Sequence, residues 1–310
     1  MNDLTLIATN TALTEQTLPS LAERFYNFID VKQRSVETYK GAIKQFMLYL
    51  ANNGITEPQR QTIIDWREQL KENHKATTIQ LYITAVKLFF SWLSQEGYYK
   101  NIAEKIKGAK IRKEHKRDCL TSNQSKSVLH EINTTTAKGK RDYAIIALLL
   151  TTGLRTIEII RADIADLRVV GDDTVLFVQG KGRDDKSEYV KVAPQVETAI
   201  RQYLKTRATN NANEPLFTSE SNHNSNGRLT TRTIRRLVKE ALLNVGLNSD
   251  RLTAHSLRHT SATIALLKGA DITEVQQMLR HSNINTTLIY SHALSRANNN
   301  SELTIADAIL

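Results

Sequence analysis

The sequence predicts a mostly α protein with one small β-sheet, organised as a helical domain followed by a mixed one. Three observations carry this. Apolar residues recur at three- and four-residue spacing through four successive segments of the first third. A basic stretch, KIKGAKIRKEHKRD (105–118), then interrupts the pattern. Beyond it, further helical segments surround a single stretch, residues 173–193, that alternates like a strand pair.

The first helix is LPSLAERFYNFID (18–30). The second, SVETYKGAIKQFMLYLANNG (35–54), has Ser35 as its expected N-cap and Gly54 as its stop. A third follows Pro58 in RQTIIDWREQL, and a fourth runs through ATTIQLYITAVKLFFSWLSQEG (76–97) to Gly97. Four amphipathic helices with short connections make a small bundle. The expected divisions are an N-terminal tail (1–17), the bundle (18–106), a solvated basic linker (107–116) and a mixed domain (117–310) whose tail is 294–310. In the mixed domain LTSNQSKSVLHEI and RDYAIIALLLTTG read as helices, the second of them buried. DTVLFVQGKGRDDKSEYVKVA reads as a β-hairpin around the Gly180-Lys181-Gly182 turn. Helices resume at VETAIRQYLKTRA, TTRTIRRLVKEALLNVG and AHSLRHTSATIALLKG, the last capped by Thr253 and stopped by Gly269. Asp271 stands three residues before Glu274, a capping-box spacing.

Composition narrows the class. No apolar run is long enough to span a bilayer, so no membrane is expected. MNDLTLIATNTALTEQ lacks the basic and apolar regions of a secretory signal. The single Cys119 excludes an internal disulfide, argues against a multi-cysteine zinc site and fits a reducing cytosol. Lysine and arginine total 42 against 32 acidic residues, a net charge of +10 that favours a polyanionic partner.

Four places carry chemistry: Arg155 in TTGLRTIEI, Lys181 at the hairpin tip, His255 and Arg258 three apart in AHSLRHT, and His281 and Tyr290 nine apart in LRHSNINTTLIY. Each alone has a bland reading as an exposed charge, a turn or a packing aromatic. Together they describe one reaction. Two guanidiniums can fork onto the oxygens of a phosphodiester, where attack builds negative charge. A tyrosine hydroxyl, with its pKa near 10, needs a base or neighbouring cations to become a nucleophile. His255 is the candidate base, the cations are expected to lower the tyrosine pKa, Lys181 can protonate the leaving oxygen, and His281 adds a donor. Every role is filled without metal or cofactor.

Other chemistries fit less well. His255 and His259 have zinc-like spacing, but Ser256 stands where a metalloprotease helix carries glutamate. Asp163/Asp166 and Asp184/Asp185 sit beside cationic residues and read as paired or solvated carboxylates rather than magnesium ligands. The sequence contains no Walker motif and no G-x-S-x-G elbow.

The order TGLR…E, GKG, HSLRHT and LRHSNINTTLIYSH resembles the tyrosine recombinase (phage integrase) family over roughly residues 118–293, closest in size to its Xer-like and simple mobile-element members. The preceding helices resemble that family's core-binding, SAM-like domain. The resemblance implies a two-domain C-shaped DNA clamp. It implies that Arg155, Lys181, His255, Arg258, His281 and Tyr290 are catalytic, with Tyr290 the nucleophile and Glu158 supporting Arg155, its (i, i+3) neighbour. It further implies a 3′-phosphotyrosyl intermediate, no cofactor and no metal. The expected partners are double-stranded DNA with inverted-repeat core sites, a homo-tetramer joined by the C-terminal tail, and an accessory excision protein or partner recombinase. Integration or excision of a mobile element is the first expectation and Xer-type dimer resolution the alternative. A non-cleaving DNA-binding protein or a type IB topoisomerase is more distant. Residues 1–17 are too few for a separate arm-binding domain. Helices 76–94 and 231–243 are the expected groove elements. Three places depart from the pattern: Asn101-Ile102 stands where Asn-Pro is common, the hairpin reads GRDDKSEYV where many members carry an arginine soon after the lysine, and Arg280 stands where glycine is usual, either as a DNA contact or as a tolerated turn residue.

Overall fold

In the computed structural model the chain divides into two compact units, Met1–Glu114 and His115–Leu310. The structure describes residues 17–111, 118–180, 183–207, 209, 211–221, 224–290 and 301–310. Among them, no helix is long and apolar enough to cross a membrane.

The first unit is built from α1 (Thr17–Phe28), α2 (Gln33–Asn52), α3 (Arg60–Asn73) and α4 (Ala76–Gln95). Each helix sends an aromatic residue inward, and Phe25, Phe46, Trp66, Phe89 and Phe90 are all buried. Their rings meet edge to face, Phe46 with Trp66 at 4.9 Å and Phe25 with Phe89 at 5.3 Å between centroids. Such pairs add directionality to burial that already stabilises each large side chain by about 1.5–3 kcal/mol. Two expectations need correction. Ser35 is not the N-cap of α2: the helix starts at Gln33, Lys32 holds the extended cap position, and the Ser35 N–H already donates to the Lys32 carbonyl. The basic stretch is not solvated from its start, because Ile106 is buried in the bundle core. Arg67 and Lys87 hold it there, donating to the Lys107 carbonyl at 2.7 Å and the Ile106 carbonyl at 3.2 Å. Linker residues 112–117 lie outside the described residues.

The second unit contains α5 (Ser122–His130), α6 (Ala137–Thr152), α7 (Thr156–Arg161), a 3-10 turn (Ile164–Asp166), β1 (Leu167–Val170), β2 (Asp173–Val178), β3 (Glu188–Lys191), α8 (Pro194–Leu204), α9 (Thr231–Asn244), α10 (Ala254–Leu267) and α11 (Ile272–Leu279). The described part of α12 spans 285–290, and α13 is Ser301–Ile309. Helix α6 is apolar on every side from Ala144 to Leu150 and is buried on every side, with α8 and α10 packed against it.

The sheet is antiparallel in the order β1-β2-β3, with Val170 opposite Asp173 and Val178 opposite Glu188. Strands β2 and β3 fall within the hairpin expected at 173–193, with 183–187 a loop leading into β3; Lys181 and Gly182 of the expected Gly-Lys-Gly turn lie outside the described residues. Strand β1 escaped the sequence reading because Val169 and Val170 are both exposed, so the segment shows no alternation. Lys186 anchors the loop by pairing with Asp163 at 2.6 Å and with Asp166. Arg228 takes the other Asp163 oxygen. These carboxylates are therefore engaged by cations, as the charge pattern around them suggested.

Candidate active site

The site starts where α6 ends. Gly153 adopts φ +62°, a left-handed conformation that stops the helix, and a Cβ placed there would sit 2.5 Å from Leu279 Cδ2. The chain then turns through buried Leu154 to Arg155, which caps α7. The Arg155 backbone N–H donates to Glu158 Oε2 at 2.7 Å and its Nη1 donates to Oε1 at 3.0 Å. Glu158 has no solvent exposure, so this carboxylate depends on its partners for charge compensation.

Helix α10 opens with the Thr253 N–H donating to Ser256 Oγ at 3.0 Å and carries Arg258 one turn further in. Arg258 is buried, and its two Nη groups donate to the carbonyls of Gly153 and Leu279. Burial, reinforced by nearby Arg155, brings its pKa down to about 9, which still leaves it cationic at neutral pH. His255 lies on the exposed side of α10. Its ring packs edge-on to His259 at 4.7 Å, and His259 packs in turn on Tyr290 at 5.1 Å. His259, weighed in the sequence only as a zinc ligand, is thus the imidazole against the tyrosine ring. The signal for it was its (i, i+4) position on the same helical stripe as His255.

His281 follows α11, with its Nδ1 2.8 Å from Thr287 Oγ1. Burial first, then the cations Arg258, Arg155 and Arg280, push its pKa down to about 4, so the ring is neutral at pH 7. If Nδ1 accepts from the threonine hydroxyl, the ring proton sits on Nε2 as a donor. Tyr290, on α12, is 3% exposed. Its pKa is raised, because burial outweighs the opposing pull of Arg258 and Arg155. The expectation that surrounding cations would bring this tyrosine down is therefore corrected for the DNA-free protein: desolvation wins.

Arg280 is likewise resolved in a way the sequence did not foresee. It is the C-cap of α11 at φ +54°, and its side chain is 5% exposed and turned inward. Nη2 pairs with Glu158 Oε2 at 2.7 Å and Nη1 donates to the Met278 carbonyl at 2.8 Å. It is neither a free surface contact nor an idle turn residue. Arg155, His255, Arg258, His259, His281 and Tyr290 all line one cavity of about 360 Å³, with Gly180 and Arg183 at its edge. Lys181 lies outside the described residues.

A cavity lined by four arginines, Arg155, Arg183, Arg258 and Arg280, and by three histidines beside a tyrosine is suited to an anionic ligand such as a phosphodiester. The chain belongs to the phage integrase family, the tyrosine recombinases: residues 118–296 match that family and residues 22–97 match its N-terminal SAM-like domain. Among named relatives it is 30% identical to tyrosine recombinase XerD of Staphylococcus haemolyticus, over 89% of this chain and 94% of that protein. It is 29% identical to tyrosine recombinase XerA of Pyrococcus horikoshii, over 89% and 90%. The fold matches the XerH site-specific recombinase in its post-cleavage complex with palindromic difH substrate, with a TM-score of 0.71 at 20% identity, covering 97% of this chain and 91% of that one. This chain is a tyrosine recombinase by class.

Proposed function

We propose that this chain cleaves and rejoins double-stranded DNA at inverted-repeat core sites, with Tyr290 as nucleophile. The observation that carries the reading is that Tyr290, from the end of the second unit, shares one cavity with Arg155 and Arg258. The Tyr290 oxygen attacks the scissile phosphorus, forming a 3′-phosphotyrosyl bond as the bond to the 5′ oxygen breaks. His255 takes the tyrosine proton, and His259 packs edge-on against both rings. Lys181 protonates the leaving 5′ oxygen. Arg155, Arg258 and the Nε2–H of His281 meet the charge that grows on the phosphate oxygens. Arg258 and Arg155 oppose the burial that holds the Tyr290 pKa up, and they face the anion left when its proton is transferred. Attack by a 5′ hydroxyl of a second strand reverses each bond change and returns the tyrosine, so bond energy is conserved.

Both units are assigned to contacts with the duplex. Helix α9 supports the DNA assignment: Ile234, Leu237 and Val238 face the core while Arg232, Arg235 and Arg236 are exposed. The biological role first proposed is integration or excision of a mobile element. The near-full-length match to proteins named XerA and XerD favours the second role, resolution of circular dimers.

The chemical test is a nicked suicide duplex carrying a core site obtained by binding selection. Wild type is expected to accumulate a covalent protein–DNA adduct and Tyr290→Phe none; an adduct with the variant would reassign the nucleophile. Plasmids with two directly repeated sites, compared with sites on separate molecules, separate the roles. Resolution without intermolecular joining selects the second.

A further inference from the structure

We infer that Arg280 is a positioning residue for strand transfer: it neutralises the buried Glu158 carboxylate and so leaves the Arg155 guanidinium free to face the phosphate. The inference rests on the proposed role of Arg155. Its first support is backbone conformation. Arg280 sits at φ +54°, ψ +49°, where a glycine is unstrained and a residue carrying a Cβ is not. Holding an arginine there costs the fold something, and the side chain is buried rather than released to solvent.

The second support is how Glu158 divides its oxygens. Oε1 accepts from Arg155 Nη1, while Oε2 is shared between the Arg155 backbone N–H and Arg280 Nη2. One fully buried carboxylate thus serves two guanidiniums. Without Arg280, its whole charge would fall on Arg155, cancelling locally the positive charge that a phosphate needs. With Arg280, the group formed by Arg155, Arg258, Arg280 and Glu158 keeps an excess of positive charge. Among the described residues, Arg155 Nε and Nη2 have no protein acceptor, so that edge of the fork is available to a ligand.

The third support is reach. Arg280 connects α11 to α7 through Glu158, and it donates to the Met278 carbonyl, next to the Leu279 carbonyl that Arg258 takes. A change at Arg280 is therefore transmitted to the reacting atoms through Glu158 and Arg155, not through contact of its own with the phosphate.

The test compares Arg280→Met, which keeps the stem but not the charge, with Arg280→Lys, using single-turnover adduct formation and duplex affinity in parallel. Arg280→Met is expected to slow adduct formation by about tenfold or more while duplex affinity changes by less than about threefold, the pattern of a misplaced phosphate ligand. Arg280→Lys is expected to recover most of the rate. In a Glu158→Gln background, where no charge needs neutralising, Arg280→Met should cost less than about twofold. If Arg280→Met does not fold, Arg280→Gly removes the charge and the backbone strain together and is expected to show the same loss. Wild-type cleavage by Arg280→Met or Arg280→Gly, rate and affinity falling together, or an undiminished loss in the Glu158→Gln background would overturn the inference. Arg155→Ala separates the two readings. If it cleaves normally, the proposed function of Arg155 fails; if it is inactive while Arg280→Met is not, only the role of Arg280 fails.

Discussion

His281 illustrates how a single side chain is set by its surroundings. The sequence places it nine residues before Tyr290, but only burial beside three arginines lowers its pKa to about 4. The sign of the consequence is definite. Between pH 6.5 and pH 4 the unfolded ring takes up a proton that the folded ring refuses, so stability falls as pH falls through that window and is unaffected above it. Relative to His281→Gln, the wild type should lose roughly 1 kcal/mol across the window, less than the full shift because the ring is half-buried and screened. Urea unfolding midpoints measured from pH 4 to pH 8 check this, and a constant difference between the two proteins would contradict it. Glu158 and Arg280 belong to the same scale. Glu158 was legible as the (i, i+3) partner of Arg155, whereas its pairing with Arg280 joins residues 122 positions apart and leaves no local pattern.

Among the elements, the α6–α7 junction does most to assemble the site. Gly153 ends α6 in a left-handed conformation, packs on Leu279 and presents its carbonyl to Arg258, which also takes the Leu279 carbonyl. Gly153→Ala should therefore destabilise the second unit by more than about 1 kcal/mol and shift both acceptors of Arg258. Denaturant unfolding together with adduct formation measures both effects, and an unchanged midpoint would rule out this account of the turn. The helices were legible because an apolar stripe at helical period is written in the chain itself. Strand β1 was not, because its exposed valines face no core and its place is set by pairing with β2. The start of α2 was misjudged at Ser35 because a good capping residue was available there, whereas the helix begins at Gln33 with Lys32 in the extended cap position.

At the scale of the molecule, the C-terminal helix stands apart. No residue of α13 is buried, and Leu303 and Ile309 are 64% and 74% exposed. An apolar helix left in water is a surface awaiting a partner. Of the expected tether ANNNSE, Ser301 and Glu302 form the first turn of α13, and the residues before them lie outside the described residues. We expect deletion of residues 301–310 to leave binding to a single core site intact while weakening assembly on paired sites more than tenfold, since covering even one such side chain is worth about 1.5–3 kcal/mol. Sedimentation of the protein on one-site and two-site DNA distinguishes the outcomes, and equal tetramer formation by the truncated chain would exclude the tail as the link.

The sequence by itself determined the helical bundle, the mixed second unit, the basic character and the set of residues able to handle a phosphodiester, because periodicity, charge and side-chain chemistry are properties of the chain read locally. Only the tertiary structure decided which of those residues meet. It brought His259 against the Tyr290 ring, raised the tyrosine pKa where neighbouring charge alone predicted a fall, and turned Arg280 inward onto Glu158. Each of these depends on desolvation and on contacts between segments far apart in the chain, and neither is encoded in the spacing of any one motif.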